Sequence, residues 1–389
     1  MILRNLRIWD GVSGQIDAGM DAIEVQQGRI VRVTSSDALD GQPGKDMGGL
    51  SLLPGLMDAH VHMCLDPGIR NPLEQVTDRE MLMVGMKQRA LAMLRAGITT
   101  ARDLGGGNWQ EMALRDAINR GEVPGPRLLC AGQPLTSVGG HCHFWGGEVD
   151  GESDIEAMIR LQVEKGVDLI KVMATGGTMT VGTHPSRAQF PEKMIEKIVA
   201  ESARHHHQVA AHCHGTEGIV FAARAGVRTI EHCSWVGTEG WGRGYDEAAV
   251  SAMIENGVWV SPTINAGWQR HVGKGGFEHL LQSNYEKMKR AGVRMIASTD
   301  AGIPNVYHHE LSKALPVFAH MAKLTPVEVL KSATSECAIA LGLENETGRI
   351  AEGLSADMVL YDGDPLSDLS VLSTPVSVFS RGQEQPLDA

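Results

Sequence analysis

The sequence has little cysteine and no paired use of it. Cys64, Cys130, Cys142, Cys213, Cys233 and Cys337 are scattered over 389 positions without a C-x-x-C pair. That spacing argues against a disulfide framework or a structural zinc knuckle, and it points to a reducing, cytoplasmic setting. Nor is there an excess of positive charge. The formal net charge is -12, which disfavours a nucleic-acid or anionic-membrane surface. No apolar run is long enough to span a bilayer. Residues 1–8 lack the apolar stretch of a secretory signal and read as a first strand. A phosphate-cradling loop is missing too, apart from the weak candidate Leu104-Gly105-Gly106-Gly107. What remains is ordinary globular composition, 42% hydrophobic and 21% charged, at a length that fits one large barrel plus a second small domain.

The two ends of the chain share a style. Short apolar stretches over 2–9, 21–25 and 29–33 are punctuated by Asp10-Gly11 and Gln27-Gly28, as strands and turns are. Similar stretches return over 348–350, 356–361 and 376–379. Both ends together predict a small β-sandwich domain of residues 1–52 and 345–389, because domain termini usually lie close together. Residues 53–344 alternate differently. Apolar β-type runs occur over 52–62, 98–104, 127–131, 168–174, 208–214, 228–235, 258–264 and 293–299. Stretches of helical period lie between most of them, such as 78–95 and 191–204. Several stop at glycine: Gly97, Gly226, Gly257 and Gly292. Eight such units predict an α/β fold with a parallel sheet closed into a (β/α)8 TIM barrel, whose chemistry sits at the carboxyl ends of the strands. An open doubly wound sheet is the competing topology.

Ligand-type side chains fall at the ends of these runs. His60 and His62 close the first, and alternate residues of a strand face one side. Lys171 lies in the fourth run, His212 in the fifth, His232 in the sixth, and Asp300 ends the eighth. On barrel strands all six can converge on one mouth. Lys171 is the unusual member. Burial of a lysine is costly, lowers its pKa and frees a nucleophilic amine. Such an amine can take up CO2 as a carbamate, an anion able to bridge two metal ions. The plainer alternatives are a lysine reaching the strand end or pairing with a carboxylate, and an Asp300 that only caps the turn Ala301-Gly302-Ile303-Pro304. A lone histidine at a strand end is ordinary. Four of them with an aspartate on the last strand are hard to explain by packing. His214 shares a face with His212 and is placed against substrate or the second metal. Cys213 and Cys233 turn to the opposite, helix-facing side as packing residues.

The pattern His-x-His, Lys, His, His, Asp on a (β/α)8 barrel resembles the amidohydrolase superfamily over nearly the whole chain. The lysine resembles its binuclear members. The resemblance implies that His60, His62 and Asp300 bind a buried metal, that His212 and His232 bind an outer one, and that carboxylated Lys171 bridges them. Two divalent ions are implied, zinc first on donor type, with manganese or cobalt as alternatives. The segments 98–105, Gly139-Gly140-His141, 171–177 and 356–360 look like the prolidase-like and dipeptidase branch. The loops carrying His141, His143, His184 and Arg187 are expected to line the mouth and set specificity.

The chemistry implied is attack of a metal-bridging hydroxide on an amide carbonyl. Asp300 takes the proton and passes it to the leaving amine. His141 is the candidate for steadying the oxyanion or a substrate carboxylate, against a loop histidine with no contact. The reading is therefore a metal-dependent amidohydrolase of a dipeptide or N-acyl amino acid, working on a small-molecule substrate and assembled as a homo-oligomer. A cyclic-amide or imidazolonepropionase-like hydrolase is the alternative on the same barrel. A metal- or metabolite-binding barrel without turnover is the alternative of another class.

Overall fold

The computed structural model describes residues 1–75 and 77–387 of the chain. Asp388 and Ala389, the end of the expected terminal domain, lie outside the described residues. Both chain ends enter one seven-stranded sheet. Its strands run in the order Gln383–Gln385, Pro375–Ser380, Met358–Tyr361, Lys45–Pro54, Ile2–Ile8, Ala22–Gln26 and Arg29–Thr34. Leu3, Ile23, Ile30, Leu52, Leu360 and Phe379 make its buried face. Hydrogen bonding joins these strands into one continuous sheet, where the sequence suggested a sandwich.

The middle of the chain forms a ring of parallel pairings. Leu56–Val61 pairs with Ile98–Asp103, which pairs with Arg127–Cys130. The Asp168 amide donates to the Cys130 carbonyl at 2.8 Å, and Leu135 bridges to Val172. Ile170–Met173, Val209–Gly215, Thr229–Val236 and Trp259–Ser261 follow side by side. The last segment is not a regular strand. It is held at Met295 by a bridge to Val260, and it closes on the first strand through Ala59 N–H to Ala297 O at 3.1 Å and Asp300 N–H to His60 O at 2.9 Å. Such a ring of parallel strands buries both faces, which is why its strands read as near-continuous apolar runs.

Helices pack outside the ring. Arg79–Arg95 begins where the Asp78 side chain accepts from the Glu80 and Met81 amides, the usual first-turn cap. Glu192–Arg204 follows Pro191. Among the described residues no helix is long and apolar enough to cross a membrane.

The first apolar run of the sequence divides at Gly55. Residues 52–54 belong to the terminal sheet and Leu56 onward to the ring. At the junction Gly55 N–H donates to Asp357 O and Leu56 N–H to Gly97 O, both at 2.9 Å. A Cβ on residue 55 would lie 2.0 Å from Thr99 Oγ1, so only glycine lets the two sheets approach here.

Candidate active site

The first-strand pleat does what the His-x-His spacing predicts. His60 and His62 are buried, with their Nε2 atoms 3.3 Å apart. Asp300 Oδ1 lies 3.2 Å from the first and 3.3 Å from the second. The tautomers follow from the other ring nitrogens. His60 Nδ1 donates to Glu231 Oε2 at 2.9 Å, and His62 Nδ1 donates to the Gly105 carbonyl at 2.8 Å. Both Nε2 atoms therefore present lone pairs to each other and to a carboxylate oxygen. Three acceptors converging in a buried place repel unless a cation lies among them, so the residues fit a metal ion.

A second such group sits beside it. His212 Nδ1 and His232 Nε2 face each other at 2.9 Å. His212 Nε2 is directed at the Gly176 carbonyl at 3.3 Å and His232 Nδ1 at Thr263 Oγ1 at 2.8 Å. His214 joins them, with its ring stacked on His232 at 4.4 Å and its Nδ1 on Ser234 Oγ at 2.9 Å. One ligand atom from each of His212, His214 and His232 lies within 4.8 Å of the others, and the same holds for His60, His232 and Asp300. Burial holds His212, His214 and His232 neutral, with the neighbouring imidazoles adding to the effect; His214 is brought down to about 3. Neutral imidazoles are what metal binding requires.

Asp300 is ionised. Burial alone pushes a carboxyl up, but His60 and the bond from His62 outweigh it and hold Asp300 well below the ordinary range. Lys171 is 1% exposed and lines the same cavity. Burial brings its amine down to about 8, against the opposing charges of Glu231 and Asp300, neither of which it hydrogen-bonds.

Three of these positions have left-handed backbones, with φ of +66° at His232, +62° at Asp300 and +53° at Thr263. Non-glycine residues adopt this conformation at a cost of order 1 kcal/mol or more, and such outliers cluster where side chains must be aimed. At His232 the consequence is visible. Thr229 and Glu231 already face the ring interior, so a regular pleat would turn His232 outward. The left-handed turn brings it in. Cys213 is buried among helix-facing apolar residues, in the packing role the alternation predicts; Cys233 has the same role, but only because the left-handed backbone at His232 and Cys233 breaks the alternation there.

Around the ligand-type groups lies a cavity of about 760 Å³. His141 is in its wall, with its Nδ1 3.1 Å from Thr180 Oγ1, and burial near the Lys171 charge brings it down to about 4. Thr180 also accepts from the Cys142 amide at 2.9 Å, so its hydroxyl proton is free to donate to Nδ1. That leaves Nε2–H as the outward donor. A Cβ on Gly177 would lie 2.3 Å from that nitrogen, so the neighbouring backbone has to be glycine.

His143, His184 and Arg187 are not in the cavity wall. His143 is half-buried against Phe144. His184 and Arg187 are exposed, and His184 bonds Ser186 Oγ at 2.8 Å. The loop after Gly177 folds back on itself and carries these two away from the mouth. The wall instead takes Arg70, Trp241, Asn265, Trp268 and Arg270 from other loops. His308 donates its Nε2–H to the His62 carbonyl at 3.1 Å, at the edge of the first strand.

A buried charge network beneath the histidines was also missed. Arg102 donates to Glu231 Oε1 at 2.8 Å, to Thr229 Oγ1 at 3.0 Å and to the Ala59 carbonyl at 2.7 Å. Thr229 donates to Glu231 at 2.5 Å. Both charged side chains are at most 3% exposed. Glu231 thus fixes the His60 tautomer, as carboxylates behind metal-binding histidines do. The signal was present: Glu231 and Arg102 are charges inside apolar runs, as Lys171 is. Burial raises the Glu231 pKa, but Arg102 and His60 outweigh it and hold the group far below 4.5. Its contribution to stability is complete above the unfolded glutamate value and fades as pH falls below it. Glu231→Ala should cost about 3–5 kcal/mol, because it strands Arg102. Urea unfolding of the metal-free protein measures this; an unchanged midpoint would contradict it.

The description "Amidohydrolase family" matches residues 51–384. The ochratoxinase of Aspergillus niger is 28% identical over 367 residues, covering 84% of this chain and 73% of that protein. The imidazolonepropionase of Xanthomonas oryzae pv. oryzae is 23% identical over 408 residues, covering 94% and 92%. A crystal structure of a Xaa-Pro dipeptidase with bound methionine in the active site has a TM-score of 0.84 at 27% identity, covering 99% of each chain. A prolidase complexed with N-methylphosphonate-L-proline gives 0.84 at 28%, covering 99% of this chain and 98% of its own. With a family match over most of its length, the chain belongs to the amidohydrolase family and is a hydrolase of amide bonds.

Proposed function

We propose that the protein is a metal-dependent amidohydrolase that releases an amino acid from a dipeptide or an N-acyl amino acid. The observation that carries this reading is the convergence of imidazole lone pairs, an ionised carboxylate and an unpaired buried amine on one cavity. His60, His62 and Asp300 would hold one divalent ion, and His212 and His232 the other, with zinc the first expectation from nitrogen donors. Lys171, as a carbamate, would serve both. When bound, the ions supply an activated water and polarise the scissile carbonyl. Residues 53–344 are read as the catalytic unit, with residues 1–52 and 345–389 as its support.

The rest falls to side chains of this chain. Asp300 accepts a proton at its carboxylate and returns it to the departing nitrogen. His141 offers Nε2–H to the oxygen on which charge develops, or to a substrate carboxylate. His214 borders the substrate space or completes the second cluster. At the rim Arg70 and Arg270 are exposed guanidinium groups, suited to a carboxylate. Trp241 and Trp268 offer apolar faces to a side chain.

The test is a panel of dipeptides and N-acyl amino acids, set against their carboxamides and against lactams and imidazolones, on metal-reconstituted protein with a chelated control. Turnover of the free acids, lost on chelation, is expected. Arg270→Met should raise KM for acids by on the order of tenfold and leave the carboxamides nearly unchanged. Turnover confined to lactams or imidazolones would favour the cyclic-amide reading, and no turnover with metal bound would favour a binding protein.

A further inference from the structure

Beside the active site lies a second, smaller cavity of about 190 Å³. Trp145 and Leu65 line both cavities, and the Trp145 ring is 5.4 Å from that of His62. The smaller cavity is bordered by Glu111, in the first turn of the helix Gln110–Asn119. Glu111 is 1% exposed, and neither of its carboxylate oxygens has a hydrogen-bond partner among the described residues. A buried carboxyl left without partners is costly in either protonation state, since the acid form also has a donor to satisfy.

Among the described residues no cation pairs with it. Arg115 is engaged with Asp116 at 2.9 Å and Asp168 at 2.7 Å. Arg89 donates to the Met63 carbonyl at 2.9 Å. The charge that acts on it most strongly is of the same sign: Asp103, which accepts from the Met63 amide at 2.6 Å and the Gly105 amide at 2.8 Å. The uncharged side chains of Gln75, Thr77, Asn108 and Gln110 complete the polar part of the wall, the Gln110 oxygen accepting from Arg79 at 2.9 Å.

We propose that this cavity binds a monovalent inorganic cation, sodium or potassium, on the Glu111 carboxylate. One carboxylate with neutral oxygen donors suits a hard ion of single charge. The site does not overlap the imidazole clusters and needs no metal in them. Through Trp145 and Leu65, its occupancy would firm the wall against which His62 stands.

Thermal unfolding of the purified protein, with its active-site metals retained, tests this at equal ionic strength in sodium, potassium or tetramethylammonium chloride. Tetramethylammonium is too large to be held by close oxygen contacts. Sodium or potassium should raise Tm by about 3 °C at roughly a hundredfold excess over the dissociation constant. The isosteric Glu111→Gln should abolish the difference. Broadening of the sodium-23 resonance by the wild-type protein, reversed by potassium, is an independent readout should the variant fold poorly. Equal Tm in all three salts, a shift that survives Glu111→Gln, or a sodium-dependent rise in Tm without line broadening would each overturn the proposal.

Discussion

Asp300→Asn is expected to lower kcat by about a thousandfold while the protein keeps its fold and most of its metal. Asparagine matches aspartate in shape and still offers an oxygen toward the His60 and His62 nitrogens, 3.2 and 3.3 Å away. What it loses is basicity. Asp300 is held ionised by those imidazoles, and an ionised carboxylate can take a proton at neutral pH where an amide cannot. The loss should therefore fall on kcat more than on KM, as expected when a transition-state interaction is removed. Steady-state kinetics alongside metal analysis of the same sample make the check. Near-wild-type turnover with full metal would rule out the proton-carrying role. Loss of metal in proportion to loss of rate would reduce Asp300 to a ligand.

Lys171→Ala should remove metal and activity together, with a fall in kcat/KM of at least about a thousandfold, because the water-activating chemistry depends on the metal site. The alanine side chain leaves room for a small carboxylic acid. Acetate or propionate should then restore part of the metal binding and part of the rate, by supplying the anion that a Lys171 carbamate would provide. Formation of the carbamate is balanced: the neutral amine adds to CO2 and releases one proton. Burial that brings the amine down to about 8 makes a useful fraction neutral near physiological pH. Carbon-13 NMR of wild-type protein equilibrated with labelled bicarbonate should show a carbamate signal that the variant lacks. Full metal occupancy in Lys171→Ala would sink the bridge.

The sequence made the ligand-type residues legible because they break a rule. Histidine, lysine and aspartate are conspicuous in apolar runs, and the period-two pleat says which share a face. His60, His62, Lys171, His212, His232 and Asp300 do reach one cavity. Arg102 and Glu231 break the same rule, yet they pair with each other behind the histidines, a contact that a linear pattern cannot display. Gly55 split an unbroken apolar run between two sheets because both environments are dry, and composition alone does not separate them. The final ring segment was legible as apolar text but not as an irregular one. Loop contributions were the least legible. His143, His184 and Arg187 looked suitable by type, but loop path is set by local turns and by packing at a distance. The same ignorance hid Trp241, Trp268 and Arg270.

The strand Lys45–Pro54 lies near the middle of the terminal sheet, between Met358–Tyr361 and Ile2–Ile8, and it runs straight on into the ring of parallel strands at Gly55. Anyone seeking a smaller catalyst therefore has no safe end to trim. Removing Ile2–Ile8 would bare an edge of the strand that leads to the first pair of histidines, removing Gln383–Gln385 would bare Pro375–Ser380, and an uncovered edge invites aggregation. Fusion partners and surface attachment are better directed to exposed turns on the far side of the ring.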